Sequence, residues 1–401
     1  MKTPRILLVE NIHSIAKEIL QHEGFSVDLI TNSPGESELI DLLKKYDVLG
    51  LRSKTEVTEK VIQQSSHLLA IGCFCIGTNQ VHLSRANQIG VPVFNAPHSN
   101  TRSVAELVIA EMICLARQLG DRNNLAHRGE WMKSADGSHE VRGKVLGIIG
   151  YGHIGSQLSI LAESMGLKVI FYDVLKKLPL GNAKSVNQLS ELLMNSDFVS
   201  LHVPETSQTK EMIGSKELAL MKPGSFLINA SRGTVVKIED LVRALKSGKL
   251  AGTAIDVFPE EPASNKEKFT SQLQGMKNVI LTPHIGGSTE EAQFAIGQEV
   301  AESFRKYLNF GSTTGAVNFP VIEIHKSPDV LRIMNVHRNE PGVLGEINSL
   351  VSKLGVNIRA QSLSTDNHIG YMIMDVEAFQ GDDLADQIQK LPRSIRTRVA
   401  R

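Results

Sequence analysis

The chain reads as an α/β protein: two successive parallel sheets covered by helices, then a smaller βαββαβ tail. Three observations predict this. Short apolar runs alternate with polar windows of helical spacing through most of the sequence. A glycine-rich turn joins one such run to a helix near the middle. The rhythm then changes after a stretch rich in Gly, Ser, Thr and Pro. At 401 residues, there is room for two or three domains with substantial cores.

The first series of runs is RILLVE, FSVDLI, DVLGLRS, LLAIGC and VPVFNA, all before residue 97. The opening MKTPRILLVE is a first strand rather than a signal peptide, because its apolar run is short and soon turns polar. TRSVAELVIAEMICLARQLG follows, long and with apolar residues at helical spacing, suited to bridging two lobes. The second series is KVLGIIG, KVIFYD, FVSLHVP, SFLINAS, GTAIDVF and NVILTPH. STEEAQFAIGQEVAESFRKYL is another long helix, and NFGSTTGAVNFPVIEIHKSPD reads as a linker. The tail alternates VLRIMNVHR, GVLGEINSLVSKLG, VNIRAQSLS, IGYMIMDVE, DDLADQIQKL and SIRTRVA, a ferredoxin-like plan.

Charge narrows the function. Lys plus Arg and Asp plus Glu both number 43, so the basic excess of a nucleic-acid or membrane-surface binder is missing. No apolar stretch approaches the ~20 residues of a membrane span. Cys73, Cys75 and Cys114 form neither a disulfide framework nor a zinc pattern, which fits a reducing cytoplasm and no metal. Cys73 and Cys75, two apart in a strand, are expected to be a packed pair.

The glycine turn is Gly150-x-Gly152-x-x-Gly155, with His153 and Ile154 inside it. It follows a strand, opens a helix and precedes a second strand ending in Asp173. That context marks a dinucleotide-binding (Rossmann) unit. The helix N-terminus faces the phosphates, and a carboxylate at Asp173 accepts from ribose hydroxyls and repels a 2′-phosphate. NAD is therefore the expected cofactor. A glycine turn with a surface Asp is the bland alternative.

Ligands in such sheets sit at the carboxyl ends of the strands. The candidate site residues collect there: His202 and Pro204, Ala230 with Ser231 and Arg232, Asp256, and His284 with Gly286 and Gly287. Hydride transfer from a hydroxy acid needs a base, a group to orient it, and a cation for the substrate carboxylate. His284, Glu261 and Arg232 can fill those roles. A carboxylate partner raises the imidazole's affinity for its proton, and a guanidinium matches a carboxylate in two-point geometry. Singly, Arg232 could be a surface arginine and His284 a helix cap or core histidine, and Glu260 competes with Glu261.

Taken together, GYGHIG, INASRGTVV, AIDVFPEEP and LTPHIGGST resemble the D-2-hydroxyacid dehydrogenases. GLRSKTEVT, IGCFCIGTNQV, APHSNTRSVAELVI and LPLGNA extend the likeness nearly end to end, to the bacterial branch acting on D-3-phosphoglycerate. The resemblance implies that Arg232, Glu261 and His284 are the catalytic triad, Glu261 being the one that directly precedes Pro. It implies a split, flavodoxin-like substrate domain (1–99 and 285–318) with an NAD domain inserted at 100–284. A linker at 319–328 and a regulatory ACT domain at 329–401 would follow. It implies that Arg52, Ser53 and Asn100 hold substrate, and that Lys133, on the loop with Trp131, reaches in from a neighbouring subunit of a homotetramer. The implied reaction is NAD-dependent oxidation of 3-phosphoglycerate, with 2-ketoglutarate reduction as a possible side activity. Another 2-hydroxy acid, or a non-enzymatic NADH-sensing scaffold, are the alternatives.

In the tail, Pro341 and Gly342 turn the chain into a helix. His337 and Asn339 stand at a strand end where they could bind a carboxylate and an amine, unless Asn339 is only a helix cap. By resemblance the ligand is L-serine, and Asn357 completes the site across a subunit interface. Two features depart from the pattern. His98 occupies a position expected to be apolar, and HKSPD lacks the Gly pair of a free hinge.

Overall fold

A computed structural model of the chain describes residues 3–262, 266–325, 329–377 and 381–400. They form two compact units, Met1–Ser99 with Gln293–Arg401, and Asn100–Ala292.

The first unit contains β1 (Arg5–Leu8), β2 (Ser26–Leu29), β3 (Val48–Leu51), β4 (Ala70–Cys73) and β5 (Val93–Asn95). All pair in parallel in the order β2-β1-β3-β4-β5, the flavodoxin-like arrangement. β3 and β4 are buried along their whole length, which is why they read as unbroken apolar runs. The helix Glu290–Phe310 lies across this sheet. A Cβ at Gly72 would come within 2.5 Å of the Phe304 ring, so glycine lets helix and strand meet closely. β4 ends at Cys73, so Cys75 lies beyond the strand. Cys73 is buried and Cys75, half-buried, packs against the same apolar cluster while bonding Gly77 and Gln80, so the pair is packed but only Cys73 is fully buried.

The second unit contains β6 (Val145–Ile149), β7 (Lys168–Tyr172), β8 (Lys184–Ser185), β9 (Phe198–Leu201), β10 (Ser225–Asn229), β11 (Leu250–Ile255) and β12 (Val279–Leu281). The parallel order is β12-β11-β10-β9-β6-β7-β8. Strand order reverses between β6 and β9, with β7 and β8 laid to one side and β9–β12 to the other, and that switch point is where a doubly wound sheet opens a crevice for ligand.

The tail contains β13 (Val330–Arg338), β14 (Ile358–Thr365), β15 (Ile369–Glu377) and β16 (Ser394–Ala400), antiparallel in the order β14-β15-β13-β16. This is the ferredoxin-like order. β13 is buried on both faces: Leu331 and Ile333 pack under the tail's helices, Met334 and Val336 against the core of the first lobe. The sequence set the tail apart and changed domain at 284/285. In the structure the tail shares one compact unit with the first lobe, and the change falls at 292/293. The physical reason for the second shift is that residues 284–289 are tied to the second unit by Asp256 and by a Ser103–Thr289 contact of 2.8 Å.

The expected linker is largely a packed segment. Thr313 is buried, its hydroxyl donates to the Pro320 carbonyl and accepts from the Ile322 amide, and Phe319 and Ile322 enter the core. Arg332 fixes its end. All five guanidinium N–H groups are used: two on Asp375 (2.6 and 2.7 Å), the others on the carbonyls of Phe310, Ile324 and His325. Of HKSPD, residues 326–328 lie outside the described residues. Among the described residues, no helix is long and apolar enough to cross a membrane, and no cluster of His, Cys, Asp and Glu is arranged to hold a metal.

Candidate active site

The glycine loop leaves β6 and enters the helix His153–Ser164. Gly150 sits at φ 91°, and a Cβ there would lie 2.5 Å from the His202 carbonyl oxygen. A Cβ at Gly155 would lie 2.3 Å from the Gly150 oxygen. Both glycines are thus required by close packing, whereas a Cβ at Gly152 would meet nothing within 4 Å. The open side of the turn is where a pyrophosphate can approach the backbone. Asp173, at the end of β7, accepts from the Tyr151 amide at 2.8 Å and so ties the loop to the neighbouring strand. His202 accepts from or donates to Ser200 at 2.8 Å through Nε2, while its buried Nδ1 has no partner. Burial drops its pKa to about 4, so the ring is neutral at physiological pH and offers an unpaired nitrogen beside the loop. These features fit a bound dinucleotide.

Three strand-end loops build the second half of the site. After β10, Asn229 accepts from the Ser231 amide and hydroxyl and donates to the Arg232 carbonyl, which fixes the turn carrying Arg232. Gly233 then passes so near the loop after β11 that a Cβ would sit 2.0 Å from the Phe258 carbonyl carbon. That contact brings the Arg232 turn against the stretch leading to Glu261. Asp256, 1% exposed, accepts from the Thr282 hydroxyl and from the Ile285 and Gly286 amides at 2.7–2.8 Å. Its carboxylate therefore organises the loop after β12.

That loop carries His284, whose φ of 53° puts a non-glycine residue in the left-handed region. Such a conformation costs on the order of 1–3 kcal/mol and persists only where surrounding contacts enforce it. Here the His284 amide donates to the Asp256 carbonyl at 2.8 Å. His284 Nδ1–H donates to Glu261 Oε2 at 2.8 Å, and Glu261 Oε1 accepts from the Phe258 amide at 3.0 Å. A carboxylate only accepts, so the proton is on Nδ1 and Nε2 is left free to act as base. The hydrogen bond to Glu261 raises the His284 pKa against the opposing effect of burial. Burial alone would push Glu261 up, but the bonds from His284 and Phe258 outweigh it and hold the carboxyl low. Glu261 rather than Glu260 is the residue in contact. Arg232 is near enough for its charge to act on both, and its Nη1 donates to the Ser231 carbonyl.

The other predicted residues stand as follows. Asn100 precedes the helix Thr101–Ala116, its Oδ1 buried without a partner and its amide close to Gly287. Arg52 and Ser53 follow β3, where Glu10 accepts from the amides of Arg52, Lys54 and Thr55. Lys133 and Trp131 are exposed on their loop, and His98 is exposed. In the tail, His337 is buried and bonds Asn335 at 2.9 Å, and burial lowers its pKa. Asn339 donates to the Asp366 carbonyl at 2.6 Å, and the helix cap is Gly342, so Asn339 is not the cap. Asn357 lies at the far end of the sheet: His337 pairs with Gly370, whereas Asn357 bonds Glu377. One chain does not bring the three together.

Sequence reasoning missed Glu10, Asn229 and Gly233. Asn229 carried a signal, an amide ending an apolar strand two residues before Ser231. Gly233 carried none beyond following Arg232.

Residues 109–286 match the model for the D-isomer specific 2-hydroxyacid dehydrogenase NAD binding domain, and residues 333–396 that for an AHAS small subunit-like ACT domain. The chain is 53% identical over 395 residues to D-3-phosphoglycerate dehydrogenase of Dictyostelium discoideum, covering 98% of this chain and 97% of that one. It is also 53% identical to the enzyme of that name from Escherichia coli K12, with the same coverage. Among solved structures, D-lactate dehydrogenase of Aquifex aeolicus with NAD and lactic acid matches 76% of this chain and 95% of its own, at 27% identity and a TM-score of 0.67. D-2-hydroxyisocaproate dehydrogenase matches 78% and 99%, at 25% identity and a TM-score of 0.70. With a dinucleotide loop, a base held by a carboxylate, and near full-length identity of this degree, the chain belongs to the D-3-phosphoglycerate dehydrogenase family of NAD-binding D-2-hydroxyacid dehydrogenases.

Proposed function

We propose that the chain oxidises D-3-phosphoglycerate to 3-phosphohydroxypyruvate with NAD, the entry step to L-serine by the phosphorylated route. The observation that carries this reading is the 2.8 Å His284–Glu261 contact at the carboxyl end of the sheet that bears the glycine loop. The names of relatives about 50% identical over nearly the whole chain supply the substrate.

Bound NAD supplies the nicotinamide ring that accepts hydride from carbon 2. The residues of this chain do the rest. Gly152 and the helix beginning at His153 receive the pyrophosphate, and Asp173 the ribose. His284 Nε2 takes the hydroxyl proton. The ring becomes cationic, and Glu261 offsets that charge while keeping the ring in orientation. Arg232 pairs with the substrate carboxylate and favours the developing carbonyl. Arg52, Ser53, Asn100 and Lys133 are assigned to the remaining polar and anionic ends of the substrate, Lys133 from a second subunit of a homotetramer. L-Serine is assigned to the tail as effector, through His337 and Asn339 of one chain and Asn357 of another. The opposite-end placement of Asn357 supports a site shared between two chains.

The test is steady-state turnover with NAD and D-3-phosphoglycerate, with and without L-serine. Turnover that drops ~10²–10⁴-fold in His284→Ala is expected. Turnover of another 2-hydroxy acid but not of 3-phosphoglycerate overturns the substrate; inhibition by serine that survives His337→Ala and Asn339→Ala overturns the effector site.

A further inference from the structure

β16 is an edge strand of the tail's sheet, and the segment Ser66–Leu69 of the first lobe runs beside it. Between them lies a cavity of about 600 Å3. Arg338, Arg396 and Arg398 line it, along with the hydroxyl residues Ser66, Ser394 and Thr397, and no Asp or Glu does. Among the described residues, none of the three guanidinium groups belongs to an ion pair.

Two of the three are nonetheless fixed. Arg396 donates to the carbonyls of Leu68 and Ser66. Arg398 donates to the Tyr307 carbonyl at 3.1 Å and stands 4.4 Å over the Tyr307 ring. Carbonyls and a ring face orient a guanidinium without neutralising it. Arg396 and Arg398 are half-buried and Arg338 is exposed. A partly buried cation is favoured by an opposite charge nearby. The lining supplies none, which leaves that role to an anionic ligand, and the cavity falls in the size range of small-molecule sites. Planar donors in fixed orientation suit the oxygens of a phosphate group.

We propose that this cavity binds a small phosphate-bearing anion, either the free ion or a phosphorylated small acid, and that the ligand bridges the tail's sheet to the first lobe. The cavity is formed by residues of the first unit, the triad by residues of the second, and the proposal does not rest on the catalytic reading. It also differs from the effector site assigned to His337 and Asn339.

Calorimetric titration of the full chain with inorganic phosphate at low ionic strength tests this. Saturable binding is expected, weakened roughly tenfold or more by Arg338→Gln or Arg396→Gln. Among the described residues the exposed Arg338 side chain makes no hydrogen bond or ion pair, so that variant should fold as the parent does. The same titration with glycerol 2-phosphate separates the two sources. Equal affinity assigns the free ion, and affinity at least tenfold tighter assigns the ester. A dissociation constant unchanged in both variants overturns the proposal, as does no binding at all. Loss of phosphate binding in Arg232→Gln with retention in Arg338→Gln also overturns it, by placing the anion at the triad.

Discussion

At the scale of single residues, the His284–Glu261 pair makes a pH-dependent prediction. Oxidation needs a neutral imidazole, and Glu261 raises the pKa of that ring. The rate should therefore fall as pH drops through a value above the ordinary ~6.5 of histidine. Glu261→Gln removes the anion, so the acid limb of kcat/KM should move to lower pH while kcat falls ~10²-fold or more. A limb that stays in place would show that another group titrates. The pair's contribution to stability is full between the ordinary values of ~4.3 and ~6.5. It fades as pH falls through the lowered Glu261 or rises through the raised His284. Asp173 makes a second prediction, which follows from its proposed role at the ribose. Asp173→Ser should raise the KM for NAD and lower discrimination against NADP, both read in steady-state assays; an unchanged ratio removes Asp173 from the ribose site. The His284–Glu261 contact, with Arg232 near it, was legible because chemistry limits which residue types can serve, and the loops that carry them follow strands. The loop-holding contacts of Asp256 were not legible, because a place after a strand does not show which donors reach the carboxylate.

At the scale of elements, the site depends on loops packed against each other. Gly233→Ala would drive a methyl carbon into the Phe258 carbonyl. The Arg232 and Glu261 turns must then part, and a displacement near 1 Å costs about 10²-fold in rate. The expected result is a kcat loss of that order, with the melting temperature of the variant reporting whether the fold survives. An active Gly233→Ala enzyme would mean the loops can move apart freely. The parallel strands were readable because burial on both faces leaves continuous apolar runs. The segment 309–325 was not. Its Gly, Ser and Thr content looks like a linker, yet Thr313 uses its hydroxyl to satisfy backbone groups inside the core, a role composition does not reveal.

At the scale of the whole molecule, Arg332 joins the tail's sheet to the segment before it. Replacing one partner of a buried pair leaves the other charge uncompensated, at about 3–5 kcal/mol. Arg332→Leu should lower the melting temperature, while the pH profile of the His284–Glu261 pair is kept. A variant as stable as the parent would show that Asp375 finds another partner. A different consequence follows from the split first unit. Its sheet is complete in sequence by Asn95, but Val300 and Phe304, which cover Gly72, come after the 193 residues of Asn100–Ala292. At ~5–20 residues per second, a ribosome takes on the order of 10–40 s to cross that interval. During synthesis the later-encoded unit can finish first, leaving an apolar sheet face waiting for its cover. Chaperone contact on ribosome-bound chains should accordingly concentrate on residues 1–99 and cease once residue 310 has emerged.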